Sequence, residues 1–278
     1  MEYKTLNNGL QIPMLGYGVF EIPDNECTDC VLRAISHGYR HIDTAQIYGN
    51  EEGVGRAIAS CGVKREELFI TSKVWVKQFG YDKALKSIDE SLKKLQTDYV
   101  DLMLLHRPYF DYINSWRALE RALEEGKVKS IGISNFTIKQ TNEILDIAKV
   151  TPAVNQIELH PYFTQKKLKE FSQNKGIAIE AWYPLGHGNK KLLNNPLFLN
   201  LSKKYNKTPS QIILRWHVQS GNIVFPKTKS DAHMKENLEI FSFELSVEDM
   251  NSIDALNKNK ALFTVPDWVQ KLQVKFSK

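Results

Sequence analysis

Short, continuously apolar runs alternate with longer amphipathic segments along most of this chain, and that alternation constrains the fold more than any other feature. Continuous apolar runs are typical of parallel strands that are buried on both faces. In the intervening segments, apolar residues recur at helical spacing, as at Ile88, Leu92 and Leu95. The runs predict eight strands, over residues 15–18, 40–43, 68–73, 100–105, 130–134, 153–157, 177–183 and 222–225.

Eight strands that alternate with helices are the number that closes a (β/α)8 barrel, the TIM barrel. The main helices are predicted over residues 24–37, 51–60, 81–95, 112–125, 137–149, 165–174, 209–219 and 245–256, the last with Ser246 as its N-cap. The dipeptide Asn8-Gly9 tolerates positive φ and predicts the turn of an N-terminal β-hairpin. We therefore expect one domain over residues 1–278.

The alternative architecture is an open, doubly wound sheet, which commonly binds dinucleotides through a GxGxxG turn. Gly16-Tyr17-Gly18 and Gly53-Val54-Gly55 lack the third glycine at the required offset. Neither of them opens a helix directly after a strand, and the chain has no P-loop GK[ST] sequence. These differences favour the closed barrel.

Composition narrows the partners that we expect. The 37 basic and 32 acidic residues give a net charge of +5 and are spread along the chain, so no basic stripe indicates nucleic-acid binding. No apolar run approaches the roughly 20 residues of a membrane span, and the stretch MEYKTLNNGL has no apolar signal segment. We expect a cytoplasmic protein with neither nucleic-acid nor membrane partners.

The three cysteines do not indicate a disulfide framework. Cys27 and Cys30 have CxxC spacing, but a zinc site would need two further ligands nearby. We interpret them as two helix residues three positions apart, and we predict no metal site.

Polar residues stand at the ends of the predicted strands, where a barrel places its chemistry. Asp43 ends the second strand, Lys73 ends the third, His106 follows the fourth, and Tyr48 lies five residues beyond Asp43. Taken singly, each has a structural interpretation, such as a helix cap or a solvated side chain. On one rim, however, they suit protonation of an oxygen that gains negative charge. An ammonium lowers the pKa of a nearby phenol, Asp43 would keep Lys73 charged, and His106 would donate a hydrogen bond.

Several motifs in the same order resemble those of the aldo-keto reductases, along nearly the whole chain. The motifs are GYRHIDTAQIYGNE (38–51), SKVW (72–75), LLHRP (104–108), IGISNF (131–136), NQIELHP (155–161), EAWYPLG (180–186) and VFPKT (224–228). The resemblance is to bacterial diketogluconate reductase and prostaglandin F synthase-like members. It implies a (β/α)8 barrel that reduces aldehydes and ketones to alcohols with NADPH and without a Rossmann domain.

By matching positions, the resemblance implies that Tyr48 is the general acid, that Lys73 and Asp43 tune it, and that His106 orients the carbonyl. Histidine at position 106, where steroid double-bond reductases of the family have Glu, points to carbonyl reduction. The residues expected to line the substrate pocket are Phe20, Tyr48, Trp75, His106 and Tyr109. A short loop after position 106 and a tail of 15 residues after Phe263 resemble members that act on small aldehydes, dicarbonyls and keto sugars. Such members are often monomers, so we expect a monomer.

The resemblance also implies a set of cofactor contacts. Ser134, Asn135 and Gln156 would hold the nicotinamide carboxamide, and Trp182 would stack on the ring in place of the family's usual Tyr. His233 stands where the family often has Arg, so we expect NADPH to be preferred but NADH to remain a weaker alternative. The full set is Gly18, Val19, Phe20, Asp43, Ser134, Asn135, Gln156, Trp182, Leu185 and Gly186 (the pyrophosphate cover), Lys227 and Thr228 (the 2′-phosphate), His233, and Glu236 and Asn237 (the adenine).

Two other functions stay open. A class I aldolase would use Lys73 to form a Schiff base, which requires a neutral amine, and Asp43 opposes that state. A regulatory subunit that senses NADPH would bind the cofactor without turnover. All four catalytic residue types are present in the chain, so nothing in it indicates that the chemistry has been lost.

Overall fold

The chain begins with an antiparallel hairpin of two short strands, β1 (Tyr3–Thr5) and β2 (Gln11–Pro13), as predicted. Its turn contains Gly9 at φ +87°, a conformation that glycine adopts without steric cost. The Asn7 and Asn8 side chains donate to the backbone carbonyls of Pro152 and Lys129, which precede two barrel strands. The hairpin is thereby held across the end of the barrel where the strands begin.

Eight parallel strands form the barrel in the computed structural model, which describes residues 1–263. Each strand pairs with the next one along the chain, and Gly16 N and Val224 N close the ring by donating to Val224 O and Met14 O at 2.7 and 2.9 Å. The predicted (β/α)8 fold is confirmed. The strands are β3 (Tyr17–Gly18), β4 (His41–Asp43), β5 (Phe69–Val74), β6 (Leu102–Leu105), β7 (Ile131–Ser134), β8 (Val154–Glu158), β9 (Ala178–Trp182) and β10 (Ile223–Val224).

Helices surround the barrel. They are α1 (Asp24–His37), α2 (Glu51–Ser60), α3 (Tyr81–Leu95), α4 (Tyr112–Glu124), α5 (Ile138–Leu145), α6 (Lys166–Asn174), α7 (Lys190–Leu193), α8 (Pro196–Tyr205), α9 (Pro209–Gln219), α10 (Asp231–Leu238) and α11 (Val247–Asp254). Cys27 and Cys30 are buried residues of α1, as interpreted from the sequence, and Ser246 caps α11 through Asp249 N. No helix within residues 1–263 is long and apolar enough to cross a membrane.

Helix α5 ends at Leu145, four residues earlier than predicted. The buried Glu120 carboxylate accepts hydrogen bonds from Lys149 N at 2.6 Å and Val150 N at 3.1 Å. These contacts draw the chain away from the helix axis toward α4, which the local periodicity does not indicate. The prediction of one domain over 1–278 remains a prediction, and its last 15 residues, 264–278, lie outside the described part of the chain.

Two apolar regions lie on opposite sides of the strands. The larger fills the space between strands and helices. The smaller lies inside the barrel beside the hairpin and includes Leu6, Ile12, Phe69, Leu102 and Leu104. At the opposite end, the barrel interior contains buried polar side chains instead, among them Asp43, Lys73, Gln156 and Glu180. The interior is therefore apolar where the strands begin and polar where they end.

Helices α2 and α3 approach closely at Gly55. A Cβ atom built there would lie 2.2 Å from Lys94 O and 2.8 Å from Leu95 C, both of which are backbone atoms. Gly55→Ala should therefore destabilise the protein by about 2 kcal/mol through overpacking, although Gly→Ala in a helix interior normally stabilises by about 0.5–1 kcal/mol. Thermal unfolding should show a melting temperature several degrees lower. The exposed Glu52→Ala in the same helix is the control, with an effect within about 0.5 kcal/mol; a higher melting temperature for Gly55→Ala would contradict the packing described here.

Candidate active site

The four residues predicted to act together meet at the rim where the strands end. Asp43 is the last residue of β4, Tyr48 closes a 3₁₀ turn just after it, Lys73 lies in β5, and His106 directly follows β6. Because these three strands are parallel and adjacent, their carboxyl ends share one edge of the barrel. Residues that are far apart in sequence are thus brought within contact distance.

Lys73 is the centre of the cluster, and its side chain is fully buried. Its ammonium donates to Asp43 Oδ1 at 2.8 Å, to Thr44 O at 2.7 Å and to the Tyr48 hydroxyl at 3.4 Å. An ammonium has three hydrogens to donate, and these three acceptors account for them. Burial alone would lower the pKa of Lys73, but the charges of Asp43 and Tyr48 outweigh it and raise the pKa. The lysine is therefore a fixed positive charge at neutral pH.

The pKa of Tyr48 is raised, in contrast to the lowering expected from the sequence. Burial favours the neutral phenol and outweighs Lys73, which acts in the expected direction and lowers the pKa; Asp43 adds to the rise. The expectation was wrong in its net sign because it counted the ammonium and omitted the loss of water. Tyr48 is therefore protonated at neutral pH, while Lys73 is placed to stabilise the phenolate that remains once the proton has left.

His106 is buried and neutral. Burial lowers its pKa well below the ordinary value, and the charges of Lys73 and Arg107 lower it further. Its ring lies edge-on to the rings of Tyr48 and Trp75, with centroids 5.9 and 5.0 Å away. A neutral imidazole has one N–H to donate, so His106 is suited to a hydrogen bond with an oxygen and not to a second positive charge.

An aromatic wall continues from these residues. The Phe20 ring lies 5.0 Å from that of Tyr48, so Phe20, Tyr48, His106 and Trp75 form one run of ring contacts. Tyr109, also predicted for the pocket, is buried, and its ring contacts Phe110. The structure therefore places four of the five predicted pocket residues side by side.

The residues predicted to hold the nicotinamide amide lie at the ends of neighbouring strands. Ser134 and Gln156 are paired in register between β7 and β8, and Asn135 follows at φ 65°. Asn135 Nδ2 donates to His106 O at 3.1 Å and to Ser134 Oγ at 3.0 Å, while its Oδ1 accepts from Trp182 Nε1 at 2.9 Å. Asn135 thereby connects the indole of Trp182 to the catalytic rim and fixes the plane of that ring.

Gln156 joins two buried carboxyl groups. Its amide nitrogen lies 2.9 Å from Asp43 Oδ2 and 2.8 Å from Glu180 Oε2. Burial raises the pKa of Glu180 to about 8, and the nearby Asp43 charge adds to the effect. Glu180 was not among the residues selected from the sequence. Its signal was a lone carboxylate in the otherwise apolar run Ala178-Ile179-Glu180-Ala181-Trp182.

The loop after β9 forms tight turns. Leu185 precedes a tight turn over Gly186–Gly188, in which Gly186 and His187 have left-handed φ of 60° and 53°. A Cβ atom at Gly186 would lie 3.0–3.3 Å from Leu192, Leu262 and Asn189, so the loop packs closely on its neighbours. Gly18 and Val19 lie at the barrel edge, where a Cβ at Gly18 would lie 2.6 Å from Phe225 O.

The other predicted cofactor residues form a second group, between β10 and the end of α10. Lys227 and His233 are exposed, and Thr228 is half-buried. The Glu236 carboxylate accepts a hydrogen bond from the Thr208 hydroxyl. The remaining member, Asn237, is buried. The structure thus separates the predicted contacts into a polar group at the barrel mouth and a partly exposed group beside α10.

Comparison with known proteins identifies the family of this chain. The sequence model described as "Aldo/keto reductase family" matches residues 14–258. The chain belongs to the aldo-keto reductase family. It is 48% identical to the glyoxal reductase of Bacillus subtilis (strain 168) over 94% of this chain and 95% of that one. It is also 43% identical to the 9,11-endoperoxide prostaglandin H2 reductase of Trypanosoma cruzi (strain CL Brener), over 95% and 94% of the two chains.

Solved aldo-keto reductase structures have the same fold. The crystal structure of an aldo/keto reductase from Brucella melitensis superposes with a TM-score of 0.89 at 48% identity, covering 92% of this chain and 99% of that one. Members of this family generally use nicotinamide cofactors, and the named reductases among the relatives support carbonyl reduction. This aldo-keto reductase is therefore an oxidoreductase.

The buried Glu180 should make stability depend on pH. Because its pKa rises from 4.5 to about 8 on folding, the folded protein holds an extra proton between these values. Wild-type stability should therefore fall as pH rises through this window, by on the order of a few kcal/mol. Glu180→Gln removes the titration, so the melting temperature of wild type relative to this variant should fall from pH 5 to pH 8.5.

Asp249→Asn is a control for which the stability difference from wild type should change with pH in the opposite direction. Burial alone would raise the pKa of Asp249, but hydrogen bonds from Lys204 and Tyr205 hold it below its ordinary value. Wild type should therefore gain stability relative to Asp249→Asn as pH rises through the acidic range toward the ordinary value of 3.8, and the difference should stay constant from pH 5 to pH 8.5. A difference between wild type and Glu180→Gln that stays constant over the whole range would show that Glu180 does not titrate as described.

Proposed function

We propose that this protein reduces aldehydes and ketones to alcohols with NADPH, and that Tyr48 is the general acid. The contact that supports this most directly is the one between the buried Lys73–Asp43 ion pair and the Tyr48 hydroxyl, beside a neutral His106. This arrangement offers a proton and a hydrogen bond to a single oxygen. It suits a carbonyl oxygen that becomes an alkoxide.

Each residue has a distinct part in this mechanism. His106 donates a hydrogen bond to the substrate oxygen and orients the carbonyl. Tyr48 transfers its phenolic proton to that oxygen, and Lys73 stabilises the resulting phenolate at 3.4 Å. Asp43 holds Lys73 charged and in place throughout. When bound, the nicotinamide cofactor supplies the hydride that reduces the carbonyl carbon.

The donor set at the barrel mouth fits a nicotinamide. Ser134, Asn135 and Gln156 bring one hydroxyl and two amide groups to the same rim, the kinds of group that bind a carboxamide. Trp182, held by Asn135, offers a flat indole face for the ring. Leu185 and Gly186 begin the loop that would cover the pyrophosphate, while Glu236 and Asn237 would hold the adenine. The set thus extends from the catalytic rim to α10.

Lys227 and Thr228 support a preference for NADPH. An exposed ammonium beside a hydroxyl is suited to a phosphate dianion. His233 adds a weaker donor than the arginine common at that position, because an imidazole lacks the bidentate fork of a guanidinium. We therefore propose that NADPH is preferred and that NADH is used less well.

Small carbonyl compounds are the proposed substrates. The name of the Bacillus relative, a glyoxal reductase, supports a dicarbonyl. The aldolase alternative is disfavoured because the pKa of Lys73 is raised, which keeps the amine protonated and unable to attack. Cytoplasmic location and a monomeric state remain predictions.

Tyr48→Phe should abolish most of the activity. Loss of the phenolic proton donor should lower kcat by roughly 10²–10⁴-fold, while NADPH affinity should stay within about threefold of wild type, since the ring is retained. The measurement is loss of reduced-cofactor absorbance with methylglyoxal, glyoxal and an aromatic aldehyde. Tyr99→Phe, at a phenol near the opposite end of the barrel beside Arg65 and Lys129, is the matched control and should retain wild-type rates. NADPH binding without turnover of any carbonyl by wild type would instead favour the sensor.

Lys227→Met should weaken NADPH selectively. A charge-assisted hydrogen bond contributes about 1.5–3 kcal/mol, so the KM for NADPH should rise roughly 10-fold to 100-fold and that for NADH should change little. His233→Arg should act in the opposite direction and tighten NADPH alone. If either substitution changed the KM for NADPH and for NADH equally, that residue would not contact the 2′-phosphate.

A further inference from the structure

Glu180 occupies a costly position for a carboxyl group. It lies in β9, is fully buried, and is paired in register with Gln156 on one side and Ile223 on the other. Within residues 1–263, its Oε1 has no hydrogen-bond partner. Burying a carboxyl group that is not fully paired is unfavourable. The hydrogen bond that Glu180 does make is therefore expected to serve the function of the site.

That contact is the amide nitrogen of Gln156. A primary amide nitrogen carries two hydrogens, and here Asp43 Oδ2 and Glu180 Oε2 both lie within hydrogen-bond distance of it. Turning the amide over would place its oxygen against the Asp43 carboxylate, which is repulsive. The two carboxyl groups therefore take both hydrogens, and only the carbonyl oxygen of Gln156 remains for a ligand.

The buried charges identify which carboxyl holds a proton. Asp43 and Glu180 are the two carboxyl groups at Gln156, and Lys73 is the cation in direct contact with Asp43. One ammonium balances one carboxylate, and Asp43 is the one that touches it. Glu180 is therefore neutral at neutral pH and accepts from Gln156 without adding a second negative charge beside Lys73.

We propose that Glu180 is a positioning residue for the proposed reaction: it takes the second hydrogen of the Gln156 amide and, together with Asp43, holds the Gln156 carbonyl oxygen in place as the acceptor for the N–H of the nicotinamide carboxamide. If Glu180 were absent, Asp43 would hold the amide through one hydrogen alone, and the amide would tilt about that bond, so that its oxygen would no longer be fixed toward the donor of a ligand. The assignment rests on the proposed function, since it assumes a nicotinamide at this site. It makes the site selective for a ring substituent that donates a hydrogen bond.

Two cofactors that differ only in this donor provide the test. NADP⁺ carries a carboxamide, whereas its 3-acetylpyridine analogue keeps the carbonyl oxygen and replaces NH2 by a methyl group. Affinities of wild type, Glu180→Leu and Glu180→Gln for each are measured by quenching of tryptophan fluorescence, which needs no turnover. Wild type should prefer NADP⁺, because a buried acceptor left without a donor weakens binding of the analogue.

Glu180→Leu fills a similar volume without an acceptor, so the preference for NADP⁺ should fall by roughly tenfold. Glu180→Gln keeps a carbonyl acceptor for Gln156 and should retain the preference within about threefold. In turnover, Glu180→Leu should raise the KM for NADPH and leave kcat at saturating cofactor within about threefold. Glu180→Met replaces Glu180→Leu if the branched side chain prevents folding.

Three results would overturn the assignment: an unchanged preference in Glu180→Leu, equal loss of preference in Glu180→Gln, or no preference in wild type. A packing role alone would lower the affinity for both cofactors alike and leave their ratio constant. Failure of the proposed function has a different signature, because wild type would then discriminate between the cofactors but reduce none of the carbonyls.

Discussion

The buried ammonium of Lys73 is the interaction on which the rest of the site depends. It lies inside a barrel from which water is largely excluded, so its charge must be balanced by groups that the fold itself supplies. Asp43 provides the balance, Thr44 O and the Tyr48 hydroxyl complete its hydrogen bonds, and His106 stays neutral partly because of it. Burial and this fixed cation together set the protonation states of its neighbours.

The two ends of the barrel interior differ in polarity, and this difference accommodates the buried cation. The hairpin and the apolar cluster around Leu102 and Leu104 fill the interior where the strands begin, and polar side chains occupy it where they end. Parallel register carries each strand-end residue to the same rim, whatever its separation in sequence. Stability and chemistry are therefore supplied by opposite ends of the same eight strands.

The sequence predicted the barrel, the hairpin and the rim positions of Asp43, Tyr48, Lys73 and His106, because alternation and strand ends are local features. It did not predict properties that depend on strands far apart in the chain. The sign of the Tyr48 pKa shift depends on how completely the barrel buries the phenol, and the hydrogen bonds of Gln156 depend on β4 and β9 together. For the same reason, the early end of α5 could not be predicted from its own residues, because it depends on hydrogen bonds to Glu120 in α4.

The protonation states leave no net charge on five residues of the catalytic rim before any ligand arrives. Lys73 and Asp43 cancel, while Tyr48, His106 and Glu180 are neutral. Negative charge that develops on a substrate oxygen is then uncompensated, and in a low-dielectric interior it attracts the Tyr48 proton and the Lys73 charge strongly. If Glu180 were ionised, a second carboxylate near Lys73 would offset part of that attraction. Because Glu180 is neutral, the Lys73 charge acts on the substrate oxygen without being offset by a second carboxylate.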